Sequence, residues 1–488
     1  MLQRLPILGS ANKDVNQFFV NTGGTEFLNG VIEFNGNAVS IRTRPGLVPH
    51  RGVTNSGVDG LYFWKAKSKI LIVAGGRLFV ADSPSDTPEE KTTPILRLPA
   101  GVCQFAEFQN FVYIVAESGR MYFFNGDVLK PVSDEIAPTN VSTITALNNR
   151  CIAVERGTTR IWYTNPVDVE DLQAPLVWSG FINATRSTDP ILSLQTVGSE
   201  LVVMRRSSIE YWYDDGVTPI RPIQGASIDL GIPSTRCVTK QGNTLFFFSS
   251  DRHFYALDGK QPRDLGKGQI DTEIQKINTI NDVVATHTNQ FIIFTFPIEK
   301  QTWVYDIKYQ AWYQWTTLHQ GVHREYLGKH AIRLNNGRWL LGGYDGRTYF
   351  MFEGVFRDGE RPCQFRFRSS HYDLGTGNLK QSSRLLMKVS KEEVRQWFST
   401  IFLPPAKRCH EYFYQMPEPI KNSYVVENLP TGFTYNAGTK TITSDDTDKT
   451  IGFYPVKITS INEWGAIYVQ IVDLEITDFD PVINLVEE

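Results

Sequence analysis

The fold is decided by a repeated unit of two strands, and one copy of it is NTLFFFSSDRHFYALDG, residues 243–259. Its first run, LFFF, is continuously apolar, which is typical of a strand buried on both faces. A short polar turn, SSDR, leads into a second run in which apolar and polar residues alternate, as in a strand with one exposed face. A buried strand followed by a half-exposed strand is what blades packed around an axis require.

The unit occurs seven times between residues 69 and 354. The other copies are KILIVAGGRLFVAD (69–82), NFVYIVAESGRMYFFNG (110–126), NRCIAVERGTTRIWYTN (149–165), SELVVMRRSSIEYWYDDG (199–216), QFIIFTFPIEKQTWVYD (290–306) and GRWLLGGYDGRTYFMFEG (337–354). Successive copies are about 40 to 50 residues apart, the length of a propeller blade. The sequence therefore predicts an all-β fold with a β-propeller of six or seven blades over residues 1–360. A sandwich or a solenoid of short strands is the alternative.

Composition narrows the class of protein. The chain has 488 residues, a formal charge of −3 and 41% hydrophobic residues, so it can bury a core and lacks the basic footprint of a general nucleic-acid binder. Its five cysteines form no CxxC pair, which predicts reduced thiols rather than a zinc site or a disulfide framework. No apolar run is long enough to span a membrane.

Charge divides the C-terminal part of the chain. Residues 361–410 carry ten Lys or Arg against three Asp or Glu, whereas residues 411–488 carry four against thirteen. Blocks of opposite sign indicate separate modules. We therefore predict a basic junction of strands over 361–415 and a small β-sandwich over 416–488. Within the junction, the capping box Ser390-Lys391-Glu392-Glu393 predicts a short helix that ends before Pro404.

The predicted sandwich resembles the immunoglobulin-like repeats of surface and adhesion proteins. The matching stretches are LPTGFTYN, residues 429–436, and GFYPVKITS, residues 452–460. The Gly-Thr-Pro turn of those repeats is replaced here by Ser444-Asp445-Asp446-Thr447-Asp448. The resemblance implies a C-terminal immunoglobulin-like domain.

The sequence contains none of the common catalytic motifs that we searched for. HExxH, GxxxxGK(S/T), G-x-S-x-G and a GxGxxG after a strand are all missing from the sequence. His319, His323 and His330 are clustered in sequence but lie among strand signals, which does not favour a metal site. Five aspartates at blade ends, Asp214, Asp215, Asp258, Asp306 and Asp345, could form a glycosidase pair only if they converge. We predict no catalytic residues, no metal, no cofactor and no enzymatic activity.

Scattered motifs over residues 1–390 resemble the packaged-DNA stabilisation or tail hub proteins of short-tailed bacteriophages. They begin with Leu5-Pro6, Lys13-Asp14 and Arg44-Pro45-Gly46 ahead of the first unit. They continue with Arg51-Gly52, Gly75-Gly76-Arg77-Leu78, the stretch 208–213, Val304-Tyr305-Asp306, Trp312 and Trp315, and they end with residues 367–389, including Asp373, Gly375, Asn378 and Lys380.

The resemblance implies a structural virion component that forms the tail hub or nozzle below the portal and adaptor rings. Its implied partners are further copies of the chain in a homohexamer, the portal and adaptor proteins, the tail needle or tip, the tail fibres, and packaged DNA in the lumen without sequence specificity. It would be assembled in the cytoplasm of the host bacterium. The candidate assembly interface is the basic block, with Arg366, Arg368, Lys380, Arg384, Lys388 and Lys391.

Two other functions are kept as alternatives. One is a carbohydrate-active propeller, such as a tail-associated depolymerase, which would need converging carboxylates. The other is a host receptor-binding protein whose C-terminal sandwich recognises the cell surface.

Overall fold

A computed structural model describes most of the chain. The described residues are 24–35, 38–93, 96–99, 101–132, 136–165, 177–216, 220–266, 270–369, 406–407, 411–415, 423–445, 449–461 and 467–477. The chain divides into two compact units, Met1–Gln381 and Ser382–Glu488. The predicted helix after Ser390 lies outside the described residues.

In the described part of the first unit, seven sheets each carry four antiparallel strands in blade order, so the all-β propeller prediction is confirmed. Four strands precede the blades: β1 (Gly24–Leu28), β2 (Gly30–Asn35), β3 (Ala38–Thr43) and β4 (Gly46–Gly52). Blade 1 consists of β5 (Val58–Trp64), β6 (Lys69–Ala74), β7 (Arg77–Ala81) and β8 (Glu89–Glu90), with a 3₁₀ turn at Lys65–Lys67. Blade 2 consists of β9 (Gln104–Phe108), β10 (Phe111–Val115), β11 (Met121–Phe124) and β12 (Leu129–Pro131).

The next blades follow in chain order. Blade 3 consists of β13 (Val141–Leu147), β14 (Arg150–Glu155), β15 (Arg160–Thr164) and β16 (Trp178–Asn183). Blade 4 consists of β17 (Ile191–Val197), β18 (Glu200–Arg205), β19 (Ile209–Tyr213) and β20 (Arg221–Ile228). Blade 5 consists of β21 (Val238–Gln241), β22 (Thr244–Phe248), β23 (Phe254–Asp258) and β24 (Gln261–Asp264), and is followed by helix α1 (Asp271–Gln275).

The last two blades recruit strands from outside the repeat. Blade 6 consists of β25 (Val284–His287), β26 (Phe291–Phe296), β27 (Gln301–Asp306) and β28 (Ala311–Gln314), and a hairpin of β29 (Thr316–His319) and β30 (Val322–Glu325) follows it. Blade 7 has β31 (Gly328–Arg333), β32 (Trp339–Gly343) and β33 (Arg347–Phe352). Its fourth strand is β4, which pairs antiparallel with β33. The N-terminal part of the chain thereby closes the ring.

The sequence unit corresponds to the second and third strands of each blade. The second strands are almost wholly buried, as in β22, because blades cover both of their faces. The innermost strands β5, β9, β13, β17, β21, β25 and β31 were missed as part of the unit. A strand such as VSTITAL, β13, has polar residues toward the axis and so lacks a continuous apolar run.

Tight turns join these strands as the sequence predicts. Gly119 and Gly346 have φ angles of +85° and +78°, in the left-handed region that favours glycine. At Gly346 a Cβ atom would also lie 2.0 Å from the carbonyl oxygen of Thr54. The turn after β32 therefore sets how closely the segment after β4 packs on blade 7.

The core consists of apolar layers between neighbouring blades. The largest cluster joins blades 4, 5 and 6 through side chains such as Tyr211, Phe254 and Trp312. The Trp312 Nε1 donates a hydrogen bond to the Leu265 carbonyl 2.7 Å away, which ties blade 6 to the end of blade 5. Cys103, Cys151 and Cys237 are buried free thiols, and Cys363 is a partly buried one. Cys409 lies outside the described residues.

The segment after the last blade adds strands to the outside of the propeller. β34 (Arg357–Asp358) and β35 (Arg361–Pro362) extend the sheet of blade 7 beyond β4. β36 (Arg366–Ser369) pairs antiparallel with β1, and β1 pairs with β28, which makes a six-stranded sheet of blade 6. The first residues of the basic junction thus belong to the sheets of the first unit.

The described residues of the second unit form two sheets. One has the order β37 (Ala406–Lys407), β43 (Ile467–Thr477), β42 (Gly452–Ile461) and β39 (Ser423–Glu427). The other has the order β38 (Tyr412–Gln415), β41 (Thr441–Ser444) and β40 (Phe433–Asn436). Side chains of both sheets share one buried cluster, which includes Ile442, Val456 and Leu474. β37 and β38 precede residue 416 and belong to these sheets, and the immunoglobulin-like assignment stays a prediction.

Replacing Gly46 by alanine is expected to weaken the closure of the ring. A Cβ atom there would lie 2.3 Å from the carbonyl oxygen of Val355 and 2.6 Å from that of Arg357, so backbone would have to move. We expect a loss of about 1–3 kcal/mol in unfolding free energy, the usual cost of overpacking, measured by denaturant titration. Gly52→Ala, at the other end of the same strand, is the control because nothing lies within 4 Å of its Cβ position. Equal stability of the two variants would contradict the prediction.

Candidate functional site

A cavity of about 490 Å³ lies on the axis of the propeller. The innermost strand of every blade contributes to its wall, and the innermost strands of most neighbouring blades contact one another around it. Its lining is mostly polar, with Gln104, Thr145, Thr196, Lys240 and His330 among the contributors. Concave sites of this volume hold small molecules, so the cavity is the first place to look for chemistry.

Arg236 spans the channel near one end. It precedes β21 of blade 5, and its guanidinium donates a hydrogen bond to the carbonyl of Val102, which precedes β9 of blade 2. Its Nη2 also lies 3.8 Å from a carboxylate oxygen of Glu117, between β10 and β11. Blades 2 and 5 lie on opposite sides of a seven-membered ring. The side chain of Arg236 therefore bridges the axis where the innermost strands begin.

Other charged groups surround this bridge. Burial raises the pKa of Asp59, while burial lowers the pKa of Lys329 and the pKa of Arg236. These groups also interact electrostatically, because the positive charges of Lys329 and Arg236 partly offset the negative charges of Asp59 and Glu117. The arrangement is a mixed-charge network at one end of the channel, in which burial opposes ionisation and the opposite charges partly offset that effect.

Neutral and singly charged contacts between neighbouring blades lie at the far end of the channel. The Tyr62 hydroxyl donates to the Glu107 carboxylate at 3.2 Å, and the Thr145 and Thr196 hydroxyls are 2.9 Å apart. Lys240 donates to the Thr196 carbonyl at 2.7 Å, and burial lowers the pKa of its ammonium. These contacts join the innermost strands of blades 1 and 2, of blades 3 and 4, and of blades 4 and 5.

His330 gives the propeller a pH-dependent stability. Its pKa is lowered from 6.5 to about 3, first by burial and then by the charges of Lys329 and Arg236. The unfolded chain therefore binds a proton below pH 6.5 that the folded chain does not, so stability falls as the pH falls. Between pH 7 and pH 5 we expect a loss of about 2 kcal/mol from this group. His330→Gln should flatten the pH dependence of the unfolding free energy over that interval, and an unchanged slope would contradict the assignment.

A second buried network fixes the N-terminal segment to the strands that follow the last blade. The Arg44 guanidinium is fully buried and pairs with both carboxylate oxygens of Asp358, at 2.9 and 2.5 Å. It also donates to the Asn29 side chain and to the Thr316 carbonyl, and its Cζ lies 4.6 Å from the centre of the Tyr326 ring. Arg44 belongs to the Arg-Pro-Gly motif of the sequence, and the structure gives it a role in closure.

The predicted assembly interface is only partly described. Arg366 is exposed on β36, the outermost strand of the blade 6 sheet, and Arg368 lies on the same strand. Exposed charge is a common way to keep an edge strand from pairing indiscriminately. Lys380, Arg384, Lys388 and Lys391 lie outside the described residues. The interface therefore stays a prediction whose first two residues occupy a sheet edge.

The three clustered histidines lie on strands and not on one helix. His319 and His323 are on the β29–β30 hairpin, where His323 contacts Thr316 at 2.9 Å and Gln364 at 3.1 Å. His330 lies on β31 in the channel wall.

The five blade-end aspartates are held by local contacts or lie in separate blades. Asp214 pairs with Arg150 at 3.1 Å. Asp306 accepts hydrogen bonds from Gln290 and Tyr313, and Asp345 accepts from Tyr349 and Arg361. Asp258 is an exposed residue at the end of β23, and Asp215 follows β19. Asp214, Asp306 and Asp345 are therefore acceptors for neighbouring side chains in three different blades.

Sequence reasoning missed the axial residues. Arg236, Lys329 and Asp59 precede or begin innermost strands, and single charged residues at such positions have no recognisable spacing. The available signal was their place at the start of an innermost strand in three different blades, which becomes informative only once blade boundaries are known.

Together, the sheets and the closure by β4 define a seven-bladed β-propeller followed by a small two-sheet unit. Within this class, the family model described as bacteriophage P22 Gp10, beta-propeller, matches residues 3–353. The chain belongs to this family. The curated proteins contain no sequence that matches it.

Solved structures with similar backbones have low sequence identity. The extracellular domain of the one-component system BT4673 from B. thetaiotaomicron is 11% identical, with a TM-score of 0.49, and the match covers 95% of this chain and 63% of that one. The WD40 β-propeller domain of Doa1 is 10% identical, with a TM-score of 0.40 and coverages of 63% and 97%. The computationally designed Ika8 protein is 13% identical, with a TM-score of 0.40 and coverages of 63% and 100%. In the described part of the chain, no helix is long and apolar enough to cross a membrane.

Proposed function

We propose that this chain is a structural subunit of a phage virion, and that it forms the tail hub or nozzle below the portal and adaptor rings. The observation that carries the proposal is membership of the P22 Gp10 propeller family over residues 3–353. In this role a homohexamer retains the packaged genome, contacts the tail needle or tip and the fibres, and provides the route for genome ejection. The subunit performs no chemical step in this role.

In this proposal, the DNA does not pass through the axial channel of a single propeller. Its cavity has a volume of about 490 Å³ and Arg236 spans it. The conduit for DNA would therefore be enclosed by several subunits, with each propeller acting as a rigid wall element. A closed ring of blades suits this role because its apolar faces are buried between neighbouring blades.

Particles assembled without this chain test the proposal. We expect filled heads that lose their DNA to nuclease during purification, and we expect purified chain to restore protection. Purified chain alone should be monomeric or weakly associated and should form a ring when portal and adaptor are added, because a template raises its effective concentration. Full DNA retention without the chain would refute the proposal, and hydrolysis of host polysaccharide by the purified chain would favour the depolymerase alternative.

Reversing three charges of the predicted interface tests where the subunit attaches. The variant carries Arg366→Glu, Arg368→Glu and Lys380→Glu, and we expect attachment to portal and adaptor to slow about tenfold or more at moderate salt, because rim charges govern encounter. The control carries Lys130→Glu, Arg206→Glu and Lys300→Glu, three exposed positions of the propeller. Attachment rates measured by light scattering at several salt concentrations compare the two. Equal rates would mean that the basic block is a solvated surface.

A further inference from the structure

Blade 5 ends in a cluster of one histidine and two aspartates from three different elements. His253 precedes β23, Asp264 is the last residue of β24, and Asp271 begins helix α1. The Nδ1 atom of His253 and one carboxylate oxygen of each aspartate all lie within 4.8 Å of one another. The cluster joins the outer hairpin of blade 5 to the connection that leads to blade 6.

Two of the separations between these atoms are close to those of ligands on one metal ion. His253 Nδ1 lies 3.2 Å from Asp264 Oδ2 and 3.6 Å from Asp271 Oδ1. Ligands about 2.1 Å from an ion and about 90–110° apart are separated by about 3.0–3.5 Å. The Nδ1 atom is buried and makes no hydrogen bond to any described residue, although both carboxylates are near. Its position suits a lone pair directed at a shared cation.

Neighbouring contacts hold the ligands in place. The Gly266 backbone N–H donates to Asp264 Oδ1 at 2.9 Å, and Asp264 Oδ2 lies 3.2 Å from His253 Nδ1. The His253 backbone N–H donates to Asp251 Oδ1 at 3.2 Å, and the Tyr255 hydroxyl donates to Asp251 Oδ2 at 2.9 Å. Hydrogen bonds from neighbouring groups to ligand residues orient metal ligands in proteins.

The charges of the described residues beside the cluster favour a cation. Asp251 adds a third carboxylate beside the cluster, while the nearby Arg252 guanidinium donates to the carbonyls of Gln275 and Ile277. The side chains of His253, Asp264 and Asp271 are 29%, 22% and 25% exposed. An ion could therefore enter from solvent and keep water in its remaining coordination positions.

We propose that His253, Asp264 and Asp271 bind a divalent first-row transition metal such as Zn²⁺ or Mn²⁺. Imidazole and carboxylate ligands together suit these ions, whereas Ca²⁺ prefers oxygen ligands alone. The bound ion would fasten β23 and β24 to helix α1 and so strengthen the junction between blades 5 and 6. The spacing of these residues matches no metal motif, which is why the sequence analysis predicted no metal site here.

Calorimetric titration of the full chain, freed of metal with EDTA, tests the proposal at pH 7.5. We expect one Zn²⁺ or Mn²⁺ per chain with saturable binding, and Ca²⁺ binding at least tenfold weaker. At a hundred times the dissociation constant, the metal should raise the melting temperature by about 3 °C or more, because it binds only the folded chain. The absence of saturable binding below about 1 mM metal would overturn the proposal.

Three single variants and two controls assign the ligands. His253→Ala, Asp264→Asn and Asp271→Asn should each weaken binding at least tenfold and abolish the melting shift. His319→Ala and Asp258→Asn, the latter at the end of β23 and outside the cluster, should bind as the unaltered chain does. Melting curves in EDTA identify any variant that fails to fold. The ligand variants that do fold then show whether these side chains bind the metal. Undiminished binding by the folded ligand variants would overturn the assignment.

Discussion

Arg44→Ala is expected to lower the unfolding free energy by about 3–5 kcal/mol, because it leaves the buried carboxylate of Asp358 without its cation. The same change removes the hydrogen bonds from Arg44 to Asn29 and Thr316. These bonds join the segment before β4 to the connection after blade 6. The first unit should therefore melt at a clearly lower temperature, measured by calorimetry on the full chain.

A neighbouring arginine supplies the matched control. Arg42 is 37% exposed and pairs with the exposed Glu353 at 3.1 Å, so Arg42→Ala should cost no more than about 1 kcal/mol. The double variant Arg44→Met, Asp358→Leu removes both charges and should recover part of the loss, because no unpaired charge remains buried. If Arg44→Ala melts like Arg42→Ala, the buried pair contributes nothing to closure.

Deleting residues 1–52 is expected to abolish cooperative folding of the propeller. The deletion removes β4, the fourth strand of blade 7, together with Arg44 and the strand β1 that links β28 to β36. β33 would then expose an unpaired edge, and the ring would lose the strand that closes it. We expect insoluble protein, or soluble protein without a sharp melting transition by calorimetry and near-ultraviolet circular dichroism.

A C-terminal truncation serves as the comparison for the deletion of residues 1–52. A chain that ends at Gln381 keeps every described strand of the first unit, and we expect it to be soluble and to melt cooperatively. The cut is placed there because Ala406–Lys407 and Tyr412–Gln415 pair with strands of the second unit. A soluble, cooperatively melting protein after the N-terminal deletion would show that blade 7 closes without β4. An insoluble C-terminal truncation would show that the first unit needs the second.

The sequence determined the all-β class and the number of repeated units. The run LFFF of β22 and its six counterparts are buried on both faces, and burial on both faces demands apolar residues at every position. Because this requirement acts on neighbouring residues of one strand, it can be recognised from a short stretch of sequence. The turn glycines Gly119 and Gly346 are determined in the same way, since a positive φ restricts the residue type at one position.

Only the tertiary structure decided which strands close the ring and which side chains meet at its axis. It also decided which side chains meet in the buried network of Arg44 and Asp358. β4 pairs with β33 although about 300 residues separate them, and Arg236 reaches the opposite blade. The cluster of His253, Asp264 and Asp271 likewise depends on how β23, β24 and α1 pack. These contacts join residues whose neighbours in sequence do not constrain them, because backbone pairing and charge compensation need only a complementary partner in space. Such partners are fixed by the closing of seven blades around one axis, and no local pattern of residues records them.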